Sequence, residues 1–301
     1  MQKRAIVYAV VAMALALPAL AADPTTWRLA AGGNMVNGEF QTGVLGFNLA
    51  DVSALSNLNR LPDGVKGLIY IGSSAGGCTG NSAQFRAFVE PYKGNPKLWG
   101  FYLMDEPYAK QVGSTPPCPM ANLKAETDYI HANFPGVVSY VKIGNIGTTA
   151  KPDYLDFGLP GMLDVYGIGG YPCRTATAPT CDLDMINRYV VAALDAKIPR
   201  EKMAPTYQAF GGWSNQFFIP SAAQEQDILN RWKTLLPNPP MFMAYSYNQQ
   251  PNSTGAISTV PHLQAVFRDW NLTASTPPEP EPEPPTHPEE PTLPPCMCRM
   301  P

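Results

Sequence analysis

Histidine is scarce in this 301-residue chain: only His131, His262 and His287 occur. No two of them stand at metal-ligand spacing, so a histidine-built metal site is not expected, and no cofactor is called for. Charge is scarce too, at 15% of residues with a formal net charge of −3. Strong basicity is absent, which argues against nucleic acid as a partner because phosphate binding needs a basic footprint. After the first 21 residues no apolar run reaches the roughly 18 residues of a membrane span. No membrane association is therefore expected once those 21 residues are removed.

What is plentiful is proline, 33 residues, and it is concentrated. Residues 277–301 hold 11 prolines and five glutamates. Such a segment cannot bury a core and reads as an extended linker or tail. At the other end, Lys3 and Arg4 precede an apolar run that closes on Ala19-Leu20-Ala21. That is the layout of a secretory signal peptide over 1–21, and it implies a secreted or periplasmic protein. Residues 22–276 remain for one folded domain, close to the roughly 250 residues of a (β/α)8 barrel.

Within that span, short apolar runs alternate with helical stretches. The runs are Trp27–Ala30, Gly43–Asn48, Val65–Ile71, Leu98–Met104, Val137–Ile143, Met162–Ile168, Met203–Gln208 and Met241–Tyr247. Most are continuously apolar, as strands buried on both faces are. Helical patterns follow at Ser82–Tyr92, Ala121–Phe134, Asp184–Lys197, Ser221–Leu236 and Pro261–Trp270. Strands alternating with helices imply a parallel sheet. The expected fold class is α/β, a single-domain (β/α)8 TIM barrel, with an open doubly wound sheet as the alternative.

Active-site groups of such barrels lie at the C-terminal ends of strands. The fourth run ends Met104-Asp105-Glu106-Pro107, an apolar strand closing abruptly on two acids. Adjacent acids in an enclosed site repel, and a carboxyl kept protonated in this way is what a general acid needs. A capping Asp105 and a solvated Glu106 are the plain reading of the same residues. At Asp105-Glu106-Pro107 the chain resembles the (β/α)8 glycoside hydrolases of clan A, many of which end this strand in Asn-Glu-Pro. The resemblance implies hydrolysis of a polysaccharide or oligosaccharide with Glu106 as general acid and Asp105 tuning or orienting it. It also implies a carbohydrate-binding module beyond the Pro-Glu linker as a partner.

The seventh run departs from that pattern, because Gln208 stands where clan A carries its nucleophilic Glu. Inversion would need another carboxylate, with Asp164, Asp182, Asp184 and Glu39 as candidates. Substrate assistance is the second route, since family 20 hexosaminidases carry a similar Asp-Glu pair. A barrel that binds sugar without cleaving it is the third. The sixth run closes on Gly169-Gly170-Tyr171-Pro172, similar to glycosidases that often carry an acid where Gly169 stands. Asn48, Tyr171, Gln208, Trp213, Tyr245 and Tyr247 are the expected sugar contacts, by stacking or hydrogen bonding at the rim. The barrel layout makes the loops of Cys78 and Cys118 neighbours and puts Cys173 and Cys181 in one loop, so these are the expected disulfides. Cys296 and Cys298 are too close in sequence to pair without strain.

A competing motif is Gly72-Ser73-Ser74-Ala75-Gly76, which matches the nucleophile elbow of α/β-hydrolases. His262, after the last strand, would complete a serine esterase with Ser74, and Asp227 is the available acid.

Overall fold

The computed structural model describes residues 26–107, 118–154 and 162–273. The signal-like segment, the Pro-Glu tail, His287, Cys296 and Cys298 lie outside them. Eight parallel strands close into a barrel. They are β1 (Trp27–Ala31), β2 (Leu49–Val52), β3 (Lys66–Tyr70), β4 (Leu98–Asp105), β5 (Val138–Ile143), β6 (Val165–Gly169), β7 (Met203–Gln208) and β8 (Met241–Tyr245). Each pairs with its neighbours in sequence, and β8 closes on β1 with Trp27 opposite Met241 and Ala31 opposite Tyr245. The helices are α1 (Leu55–Asn59), α2 (Ala83–Val89), α3 (Met120–Asn133), α4 (Asp184–Asp195), α5 (Ala222–Leu235) and α6 (Pro261–Thr273).

Two apolar clusters follow from the two faces of each strand. The interior one contains Leu29, Leu49, Leu68, Trp99, Tyr140, Val165, Ala204, Met241 and Met243. The larger one lies between strands and helices, and it includes Val52, Ile69, Phe101, Val141, Tyr207 and Phe267. The interior is filled with side chains, so the barrel is a packed core and ligands must bind at its mouth.

The second strand differs from expectation. Thr42–Leu45 is a 3-10 turn, and the strand begins after Asn48, at Leu49. The run Gly43–Asn48 carries two glycines, and Gly46 takes the left-handed backbone conformation that ends the turn. The shift matters because it places Asp51 inside a strand. The short helix α1 has no counterpart among the expected helical stretches.

Candidate active site

All eight strands run in one direction, so their C-terminal ends form one rim. Alternation along each strand decides what reaches it. Leu49 is in the interior cluster while Ala50 and Val52 are in the outer one, so Asp51 points into the barrel above Leu49. By the same alternation Tyr70 stands above Leu68, Lys142 above Tyr140, and Tyr245 above Met243. Asp105 lies opposite Lys142 in the β4–β5 register.

Glu106 follows β4 directly, with a positive φ of 44° and its amide donating to the Lys142 carbonyl at 2.8 Å. Its Oε1 accepts from Lys142 Nζ at 2.5 Å; the Glu106 side chain is 36% exposed and that of Lys142 only 10%. Asp105 has a separate partner, accepting from the Tyr102 hydroxyl at 2.7 Å. The two acids thus have separate partners, a cation for Glu106 and a phenol for Asp105. Burial works against the Lys142 charge, but the Tyr171 hydroxyl and the Glu106 and Asp105 carboxylates outweigh it and raise its pKa above the ordinary lysine value. Lys142 is a central residue that motif reading missed. Its signal was a single lysine in an otherwise apolar run, Val138-Ser139-Tyr140-Val141-Lys142-Ile143.

Gly169 explains the missing acid on β6. A Cβ there would sit 3.5 Å from Lys142 Cε and 3.2 Å from Thr206 Cβ. The lysine stem occupies the space a longer side chain at 169 would need. One layer down, a Cβ at Gly167 would overlap the Tyr140 hydroxyl.

Gln208 is fully buried, and its carboxamide is used up. It accepts from the Cys173 amide at 2.8 Å and donates to the carbonyls of Cys173, Phe210 and Phe218 at 3.1–3.2 Å. Three carbonyl acceptors require an N–H donor, which a carboxylate cannot supply. Gln208 therefore clamps the loops after β6 and β7, and the expectation that it hydrogen-bonds sugar is not supported by its position. Asn48 is likewise misplaced. It precedes β2, at the opposite end of the barrel, and its Oδ1 accepts from the Arg28 amide at 2.8 Å.

The remaining aromatic candidates converge in part. Tyr171 stacks on Tyr245 at 6.2 Å and packs edge-on against Phe210 and Phe217. Trp213, 41% exposed, lies 6.1 Å from Tyr245 and 5.9 Å from Phe210. Together they make an aromatic wall along the β6–β8 side of the rim. Burial and the nearby Asp105 raise the Tyr245 hydroxyl to about 12. Tyr247 packs against the outer cluster beyond the end of β8 and does not join this wall.

The proposed second carboxylates do not reach the centre. Asp164 precedes β6, at the far end of the barrel, where it pairs with His131 at 2.9 Å and accepts from the Ser139 hydroxyl and amide at 2.8 Å. Burial opposes its charge, but those Ser139 and His131 contacts prevail and hold its pKa below the ordinary value. Asp182 pairs with Arg188 and Asp184 with Arg231, around the start of α4. Glu39 is exposed on a hairpin. Asp51 is a further carboxylate at this mouth, three residues beyond the strand end that the apolar run predicts. Its Oδ2 accepts from the Gly32 and Gly33 amides at 3.2 and 3.4 Å. Burial pushes its pKa up, against the pull of those two amides.

The esterase arrangement is not assembled. Ser74 is exposed in a 3-10 turn and its carbonyl accepts from Gln84. His262 hydrogen-bonds the Pro220 carbonyl at 2.9 Å, and Asp227 is exposed on α5. The expected cysteine pairs are both formed, with Cα separations of 5.4 Å for Cys78–Cys118 and 4.2 Å for Cys173–Cys181. Among the described residues no three His, Cys, Asp or Glu side chains converge as a metal site, and no helix is long and apolar enough to cross a membrane.

No protein-family model matches the sequence, and no curated protein matches it significantly. Among solved structures, a β-galactosidase from the psychrophilic Marinomonas ef1 is similar with a TM-score of 0.53 and 9% identity, over 83% of this chain and 60% of that one. A chitinase from Rhizomucor miehei overlaps with a TM-score of 0.44 and 15% identity, over 68% of this chain and 82% of that one. A Lactobacillus rhamnosus β-glucuronidase gives 0.47 and 10%, over 77% and 44%. At 9% identity the likeness to the β-galactosidase concerns the fold alone.

Proposed function

We propose that the protein is an exported glycoside hydrolase acting on a polysaccharide or oligosaccharide, with Glu106 as general acid. The observation that carries this reading is one rim bearing Asp105 and Glu106 beside the wall of Tyr171, Phe210, Trp213 and Tyr245. Aromatic faces offer apolar area to sugar C–H faces, and a positioned carboxyl beside them supplies the proton that a departing glycosidic oxygen requires. Lys142, bonded to Oε1, fixes the Glu106 carboxyl at this rim. The barrel likeness to the β-galactosidase supports the architecture. Two disulfides support an oxidising compartment, secreted or periplasmic.

A second reading is favoured by two particular observations. Gln208 is a structural clamp where clan A enzymes carry a nucleophile, and Glu106 already has a cation partner. Both fit a barrel that binds sugar without turnover. Reducing-sugar release on a polysaccharide panel separates the two. The hydrolase reading expects release by the wild type and a roughly 10²–10⁴-fold loss in Glu106→Gln, with sugar affinity kept. Binding to the panel with no release by the wild type supports the binding barrel instead.

A further inference from the structure

We propose that Asp51 is the general base of this reaction, activating the attacking water in an inverting hydrolysis. The proposal rests on the glycoside hydrolase reading and supplies the second carboxylate that β7 lacks.

Three observations on the fold carry it. First, Asp51 is the interior residue above Leu49, at the same mouth as Asp105 and Lys142. Second, its two oxygens are differently engaged. Oδ2 is held by the consecutive amides of Gly32 and Gly33, whose φ values of +91° and +87° turn both N–H groups toward one acceptor. Oδ1 has no hydrogen-bond partner among the described residues, so it is open to a water. Third, β3 stands between β2 and β4, with Asp51 opposite Leu68 and Leu68 opposite Gly100. Asp105 and Glu106 stand five and six residues further along the chain than Gly100, and the Tyr70 ring, packed on Tyr102 at 5.0 Å, fills the interval between Asp51 and the acid pair. The Tyr70 hydroxyl is raised first by burial and then by Asp105 and Asp51, which puts it in the field of both acids.

The step balances without any further reactant. Asp51 Oδ1 takes a proton from water as the water oxygen bonds the anomeric carbon. The bond from that carbon to the glycosidic oxygen breaks, and Glu106 gives its proton to the departing oxygen. Solvent then takes the proton from Asp51 and returns one to Glu106.

The test uses the full chain and the 2,4-dinitrophenyl glycoside of the sugar released in the polysaccharide panel. Proton NMR should show a first product of inverted configuration. Asp51→Asn should lose about 10²–10⁴-fold in kcat. Asp51→Gly should regain turnover in azide, which attacks without a base, and give a glycosyl azide of inverted configuration. That rescue requires a folded site, so it separates a chemical role from loss of the Gly32–Gly33 anchor. A product of retained configuration, an undiminished Asp51→Asn rate, or an Asp51→Gly enzyme that azide does not rescue overturns the proposal. If Glu106→Gln loses release on the polysaccharide panel but keeps turnover of the 2,4-dinitrophenyl glycoside, whose leaving group departs without a proton, the hydrolase reading stands without it. A wild type with no turnover overturns both.

Discussion

Gln208 shows how one side chain can carry the shape of an active site without its chemistry. Its amide nitrogen faces three carbonyl oxygens, and its oxygen takes one amide. Restoring the clan A residue by Gln208→Glu therefore creates no nucleophile. It buries a charge against three acceptors and should cost about 2–4 kcal/mol, measured by urea unfolding. Lys142 is the opposite case, a charge inside a barrel that its neighbours keep ionised. Neither role is visible from residue type alone. Glutamine at a strand end suggests a hydroxyl contact, and lysine in an apolar run suggests a solvated edge. The contacts that reverse both readings come from Cys173, Phe218 and Glu106, which are distant in sequence.

Among the elements, α3 and the loop after β3 are joined by a buried acid. Glu126 lies on α3, fully buried, and its Oε1 accepts from the Gly80 amide at 3.0 Å. Burial pushes its carboxyl up from 4.5 to about 8, against the pull of the Gly80, Thr79 and Cys78 amides. Because the folded value is raised, its contribution to stability is complete below about pH 4.5, where the unfolded group is also protonated. It declines as pH rises to about 8, because the unfolded chain ionises first. Thermal melts across this range should show the wild type losing stability relative to Glu126→Gln, and the gap should level off above pH 8. Strand and helix positions were largely legible because buried parallel strands are continuously apolar. Periodicity places the second strand too early because Gly43-Val44-Leu45-Gly46-Phe47 is apolar enough for a strand. Its glycines instead allow a tight turn.

For the whole molecule, barrel closure and the two disulfides set how the rim is held. Cys78–Cys118 spans 40 residues and Cys173–Cys181 spans eight. On the chain-entropy relation the longer loop contributes about 4 kcal/mol and the shorter about 2.5 kcal/mol. Paired Cys→Ser variants should keep that order in guanidinium unfolding, with the Cys78–Cys118 pair the more damaging to lose. Closure also brings β8 beside β1, so that Tyr245 and Ala31 are paired in register although more than 200 positions separate them.

The sequence by itself determined the class of fold, the cysteine pairing and the acid pair at the end of β4. Those follow from local periodicity, from loop order around a barrel, and from carboxylates interrupting an apolar strand. The tertiary structure decided which other groups share the mouth. Asp51 and Lys142 point inward because of where their strands begin and how they register. Asp164 and Asn48 lie at the opposite end for the same reason. With side chains alternating at every residue, a shift of a few positions in a strand boundary moves a group between core, rim and far end. That boundary is set by pairing with neighbouring strands, which no single run of residues encodes.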